Sequence, residues 1–460
     1  MTHLLLFLGC LLLAATVGIL LTQCRTSLLG LNILNLFTVA SATLSTFFFG
    51  TIFDLLPKSF SDEQVVVVSY SVAGLLAMVL GIYLGWRPLI KQKRARQGLN
   101  RYAMVPDHFS EQIGWLSFVV GATFELGSRY VYDIPTISTA FNCLASLARL
   151  GLFILLIRAL HDGRWNKFVS ACAIYAMMSI LGALTTGFSF IRINTLIPLF
   201  MIWYGFRGLT FRNVTAPVAT LLLATPFITA WLDTRNLIRE GTLEGYSLLN
   251  QAAVFFREYV VNLDYPSPTS IMRTIVERVD MTDILAAQVR YQPDYEPYAF
   301  GETIYSSFYT LIPRFLWPDK PIVAGGSEFV ARFTGLYRAA DDATSVGLPY
   351  PFELFANGGW FFVVLGLGVI GYIGARLELG LFRRAKSLGA FWARGLVTIV
   401  ICEGGQRTDV ILPALVASAL AAYVLGKVLE DFWARKVVSI NVSTNRRSPI
   451  DERRWRVPPR

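Results

Sequence analysis

Apolar residues along this chain gather in long runs. Residues 4–21, 65–85 and 214–232 each approach the roughly 20 apolar residues that cross a bilayer. The pattern repeats along nearly the whole length and predicts eleven spans, near 4–21, 30–53, 65–86, 112–132, 138–160, 168–188, 193–209, 214–232, 351–375, 389–403 and 409–429. The expected fold is therefore an all-α polytopic membrane protein of about 11 transmembrane helices with a large, partly helical outer loop. Its regions read as helices 1–8 over 1–232, the loop over 233–350, helices 9–11 over 351–429 and a basic tail over 430–460.

Polar positions between the runs set an orientation. Alternate connections and the tail carry 25 Lys and Arg, whereas the opposite short loops hold only Lys58, Arg129, Arg192 and Arg407. Basic residues accumulate on the cytoplasmic side, so this alternation puts the N-terminus outside and the C-terminus in the cytoplasm. The first run lacks a basic start and a small-residue cleavage pattern, and reads as a retained helix.

The 118-residue connection 233–350 then falls outside. It carries 15 acids against 10 bases and 10 of the 19 tyrosines. A loop of that length is functional or disordered, and its aromatic content and helical periodicity argue for order. Ile271, Ile275, Val279, Ile284 and Leu285 mark an amphipathic helix, and residues 301–312 another that Pro313 ends.

Composition narrows the function classes. Only 16% of residues are charged and 54% are hydrophobic, with a mean hydropathy of +0.51, so a soluble enzyme is excluded. The +10 charge would suggest nucleic acid on a soluble chain, but here it follows from the cytoplasmic loops, and no nucleic-acid partner is expected. The five cysteines lie in or beside apolar runs without CxxC spacing, and neither GxxxxGK[ST] nor HExxH occurs. No metal and no cofactor are expected.

Two stretches of the outer side concentrate chemistry. In 312–321, IPRFLWPDKP, three prolines fix an extended turn that presents Arg314, Trp317 and Lys320. Two fixed cations suit a diphosphate and an indole suits a sugar face, although an interfacial anchor uses the same residue types. In 347–360, GLPYPFELFANGGW, Glu353 and Asn357 stand four residues apart on one face of the helix opening the ninth span. Glu353 suits a polar cavity, or simply the favourable first turn of a helix. Arg407 lies in the glycine-containing turn EGGQRTD, functional or merely solvated, and Arg192 sits in a very short turn. Glu125 and Arg149, on adjacent spans, read as a mutually neutralising structural pair or a functional one.

These stretches resemble the Wzy-type oligosaccharide repeat-unit polymerases of O-antigen and exopolysaccharide synthesis. That family carries an IPRxLWPxKP-like stretch in its large outer loop, matched here by Pro313, Arg314, Trp317, Pro318, Lys320 and Pro321. It also carries an ExYxNFG-like stretch at the next span, matched by Glu353, Asn357 and Gly359, with Phe355 and Gly358 departing from it. The resemblance implies a bacterial inner-membrane glycosyltransferase acting at the periplasmic face. A hydroxyl of one undecaprenyl-diphosphate-linked repeat would attack the anomeric carbon of another, releasing lipid diphosphate. Such a reaction needs a base and cations. His108 and His161 fall in cytoplasmic loops and His3 at the extreme terminus, so the base must be a carboxylate: Glu353, then Asp341 or Asp342, then Glu302.

The implied catalytic set is Glu353, Arg314 and Arg407. The implied substrate-binding set is Lys320, Trp317, Asn357, Arg192, Asp341, Asp342, Tyr305 and Tyr309. Expected partners are the undecaprenyl-diphosphate-linked glycans, membrane lipid, a Wzz-type chain-length-regulating co-polymerase and, functionally, a Wzx-type flippase. An O-antigen ligase-like transferase is the neighbouring reading. A polysaccharide flippase or transporter is the alternative class, which the lack of an evident inverted repeat disfavours.

Overall fold

A computed structural model describes residues 2–24, 29–53, 60–95, 109–128, 135–186, 193–207, 248–263, 280–312, 326–336, 348–383, 387–402 and 408–434, with isolated positions between them. Among the described residues the chain is all-helical, without a strand. The helices are α1 (Thr2–Cys24), α2 (Leu31–Phe53), α3 (Asp62–Ala95), α4 (Glu111–Gly127), α5 (Pro135–Ala145), α6 (Leu147–Asp162), α7 (Trp165–Thr186) and α8 (Ile193–Arg207). In the loop lie α9 (Leu248–Leu263), α10 (Thr282–Tyr291), α11 (Glu302–Ser307) and α12 (Gly326–Thr334), followed by α13 (Tyr350–Leu381), α14 (Leu388–Cys402) and α15 (Thr408–Ala434).

Four stretches among the described residues are long and apolar enough to cross a membrane: Asp62–Pro88, Ala140–Asp162, Tyr350–Leu381 and Ile411–Phe432. Leu8–Leu20, Leu31–Ser45 and Leu388–Cys402 are apolar but shorter. These helices point to a membrane protein, while the expected count of eleven spans is not supported by them. Part of the reason is local. α4 ends after 17 residues at Gly127, just past the buried Glu125, whereas the predicted fifth span holds as Ala140–Asp162 although a turn at Ser146 separates α5 from α6. The predicted eighth span, 214–232, lies almost wholly outside the described residues.

Glycines decide how closely the helices meet. α3 and α13 form the most intimate pair, with Gly74, Gly81 and Gly85 of α3 turned to α13 and Gly371 turned back to α3. A side chain on Gly81 would overlap the carbonyl of Gly368, and one on Gly121 of α4 would overlap the backbone of Ala148 in α6. Small residues that let backbones approach are the usual means of association between apolar helices, whose exposed sides gain nothing from one another in lipid. Gly81→Ala should therefore destabilise by about 1–3 kcal/mol, the usual cost of overpacking, seen as a lower thermal unfolding midpoint in detergent. Gly18, where a Cβ would find nothing within 4 Å, is the control, and Gly18→Ala should leave the midpoint unchanged or raise it.

The loop helices α10, α11 and α12 gather at one end of this bundle. Met281 donates its N–H to the Ala42 carbonyl of α2 (2.8 Å), and Ser45 donates to Asp280 (2.9 Å). Gln64 at the start of α3 donates to Asp283 (2.8 Å), and Arg290 pairs with Glu63 (3.1 Å). The predicted helix over 271–285 is corrected here. Its described part begins only at Thr282, because Asp280 takes the Thr282 hydroxyl (2.7 Å) and Met281 is spent on α2; residues 271–279 lie outside the described residues. The predicted helix over 301–312 is present as α11 followed by a 3₁₀ turn, Phe308–Leu311, and Ile312 turns extended before Pro313.

At the opposite end, the fully buried Glu378 of α13 accepts from the Leu29 N–H (2.8 Å) and the Asn32 amide (2.5 Å). That carboxylate satisfies donors at the start of α2 that no helical carbonyl can reach.

Candidate functional site

The loop is fastened to α13 where that helix breaks. Pro349 is the N-cap residue, and Pro351 falls within the first two positions, where a missing N–H costs nothing. The first half runs over residues 350–357. Gly358 (φ −176°, ψ 30°) and Gly359 (φ 65°, ψ −158°) then leave the helical region, and the helix resumes beyond them. The Gly359 conformation is one that only glycine adopts cheaply, and a side chain there would meet the Tyr298 hydroxyl at 3.0 Å. The apolar run 351–375 predicts a span, which Tyr350–Leu381 is long and apolar enough to be, and the break near its start adds to that expectation.

A broken helix strands its last carbonyls. Here the loop supplies the partners. Ala299 N–H donates to the Ala356 carbonyl (2.8 Å) and Phe300 N–H to that of Asn357 (3.0 Å). Gln288 of α10 adds a bond to the Phe352 carbonyl (3.0 Å). To donate from there, Phe300 adopts φ 45°, rare for an aromatic residue, and projects 78% exposed.

Between these backbone ties lie the two residues picked out from the sequence. Glu353 is 4% exposed and Asn357 is 0%. Glu353 thus lies beneath the docked loop and not on an open rim. Its carboxylate accepts from the Thr303 hydroxyl (3.1 Å), and Thr303 accepts from the Asn357 amide (2.6 Å). The same amide donates to the Glu353 carbonyl (2.7 Å), and the Asn357 oxygen accepts from Gly301 N–H (2.7 Å). Asn357 was expected to bind substrate. Both ends of its amide are engaged inside the protein, so its place is between loop and helix. Phe355, which departs from the family-like pattern, stacks on Tyr70 (5.3 Å) and packs edge-on to Tyr298 (6.1 Å).

Three more candidates form an aromatic row just after Thr303. Tyr305 and Tyr309 meet edge to face at 5.4 Å, and Tyr309 meets Trp317 at 5.6 Å. Tyr305 is 62% exposed, while Tyr309 and Trp317 are half-buried. The hydrogen bond between the two phenols pushes the Tyr309 hydroxyl above its ordinary range. The row packs with α11 and the 3₁₀ turn against α15.

Glu302, the last of the alternative bases, is engaged elsewhere. It accepts two bonds from Arg332 (2.9 and 3.0 Å), which also bonds Glu296 (2.7 Å), and the guanidinium holds the Glu302 carboxyl below its usual range. An acid so held is a poor proton acceptor. The remaining candidates, Arg314, Lys320, Arg192, Arg407, Asp341 and Asp342, lie outside the described residues. Of the Glu125 and Arg149 pair, Arg149 donates to Ser146 (2.5 Å), and both it and Glu125 are buried where α4 and α6 pack.

Sequence reasoning missed Thr303, Gly301 and Gln288. The one signal available was the glycine before Glu302, because a left-handed residue (φ 94°) there starts α11 and turns Thr303 inward.

Residues 63–327 match the model of a domain family of unknown function, DUF8712. The chain belongs to that family. Within this DUF8712 member the matched segment supplies Gln288, Gly301 and Thr303, whereas Glu353 and Asn357 follow it in the chain. No curated protein matches the chain, and no solved structure does.

Proposed function

We propose that this DUF8712 protein is a polymerase of lipid-linked oligosaccharide repeat units. In this reading the chain crosses the bacterial inner membrane eleven times, with its N-terminus periplasmic and C-terminus cytoplasmic. The acceptor hydroxyl of one repeat gives its proton to Glu353 and bonds to the anomeric carbon of another. The bond from that carbon to the lipid diphosphate breaks, and Arg314 and Arg407, with Lys320, stabilise the departing charge. Tyr305, Tyr309 and Trp317 offer ring faces to sugars. Arg192, Asp341 and Asp342 complete the proposed substrate contacts, and a Wzz-type co-polymerase and Wzx-type flippase are the proposed partners.

The observation that carries this reading is the placement of Glu353. A buried carboxylate is expensive unless it is hydrogen-bonded, and this one sits where the 233–350 loop meets a broken apolar helix, bonded to Thr303, which stands just before the row of Tyr305, Tyr309 and Trp317. The resemblance of 312–321 and 353–359 to the Wzy-type pattern supports the same assignment. The test is the product left by a strain lacking the gene. A lost polymerase leaves single repeats at the cell surface or on periplasmic lipid. No repeats outside at all would instead indicate a flippase, and unligated long polymer a ligase.

A further inference from the structure

We propose that Thr303 is the positioning residue for the Glu353 base, and that Asn357 serves to aim Thr303. The inference rests on the assignment of Glu353 as the base.

The hydrogen bonds around Thr303 can run in only one direction. Gly301 N–H is a donor alone, so the Asn357 atom facing it at 2.7 Å must be the oxygen. That fixes the amide, and its NH₂ group points to the Thr303 hydroxyl (2.6 Å) and the Glu353 carbonyl (2.7 Å). A hydroxyl has one proton and two lone pairs. With a lone pair of Thr303 taken by Asn357, its proton goes to Glu353 Oε1 (3.1 Å). The donation runs from Gly301 through Asn357 and Thr303 to the carboxylate, and the three side chains are nearly or wholly buried. One carboxylate oxygen is thereby tied to the loop, and this bond contributes to the direction in which the carboxylate faces.

The place of Thr303 does not depend on its own hydroxyl. Ala299 and Phe300 are bonded to α13 on one side of it, and Ser306 and Ser307 donate to the Thr303 carbonyl (3.0 and 2.7 Å) on the other. Removing the hydroxyl therefore takes from the Glu353 carboxylate a bond that directs one of its oxygens, while the segment stays docked. Asn357 also keeps a partner for its amide in the Glu353 carbonyl.

The experiment uses full-length protein in detergent and lipid-linked repeats extracted from a strain lacking the gene. Misplacing a reacting group by about 1 Å can cost 10²-fold in rate. Thr303→Val should accordingly lower kcat by about 10–100-fold with KM within about twofold, while Thr303→Ser stays within about threefold of wild type. In the Glu353→Gln background, Thr303→Val should add nothing further, because residues that act as a unit are not additive. Should Thr303→Val not purify as a folded protein, Thr303→Ala carries the same expectation. If Glu353→Gln is inactive but Thr303→Val keeps more than half of wild-type kcat, the positioning role falls and the base stands. Thr303→Ser as slow as Thr303→Val, or losses that multiply in the double variant, would also overturn it. An active Glu353→Gln protein would instead remove the base assignment itself.

Discussion

Glu353→Gln is expected to reduce polymer formation by about 10²–10⁴-fold, the contribution of a positioned general base, or roughly 3–5 kcal/mol of barrier. The substitution is nearly isosteric. The Thr303 hydroxyl still finds an oxygen to donate to, and the Glu353 backbone carbonyl that ties Asn357 is untouched. Folding should therefore survive while the proton acceptor is lost. Purified, folded Glu353→Gln protein that extends lipid-linked repeats faster than about a tenth of the wild-type rate would rule Glu353 out. Asp341 and Asp342 would then be next, since Glu302 is engaged by Arg332.

The second large effect comes from a residue without a side chain. Gly359→Ala forces a Cβ into φ 65°, ψ −158°, and sets it 3.0 Å from the Tyr298 hydroxyl. The backbone strain alone is about 1–3 kcal/mol. The cheapest relief is to continue the helix through 358–359, which would return the Ala356 and Asn357 carbonyls to helical donors. Ala299 and Phe300 would then lose their acceptors, and α11 would lose its seat. The expected result is a lower thermal unfolding midpoint together with loss of polymer of the same order as for Glu353→Gln. A Gly359→Ala protein with wild-type melting and wild-type polymer would show that the break is incidental.

Much of the helical architecture was legible because long apolar runs are sufficient to form helices. α2, α3, α7 and α15 begin within a few residues of the expected spans. The failures have a common cause. At Gly358 and at Thr282 the outcome depends on what a distant part of the chain does with freed backbone groups, and no local pattern carries that. Met281, ahead of α10, gives its N–H to Ala42, and at the break in α13 Ala299 and Phe300 take the place of its own donors. The site was legible to the same extent. Glu353 and Asn357 could be paired by their four-residue spacing, whereas Thr303, 50 residues earlier in the chain, has no such mark.

The stitching of Gly301 and its neighbours to Asn357 also fixes an order of events during synthesis. The two residues are 56 positions apart, which at about 5–20 residues per second is a wait of roughly 3–11 s. Throughout that interval the amides of 299–301 and the Thr303 hydroxyl have already been synthesised, while the carbonyls that will receive them do not yet exist. The 299–303 segment consequently cannot mature ahead of Tyr350–Asn357, and a chain stopped before Tyr350 would present it without its anchor. Its completion is tied to synthesis of the next helix, so the site is assembled only once the first half of α13 has emerged, a late step of biogenesis.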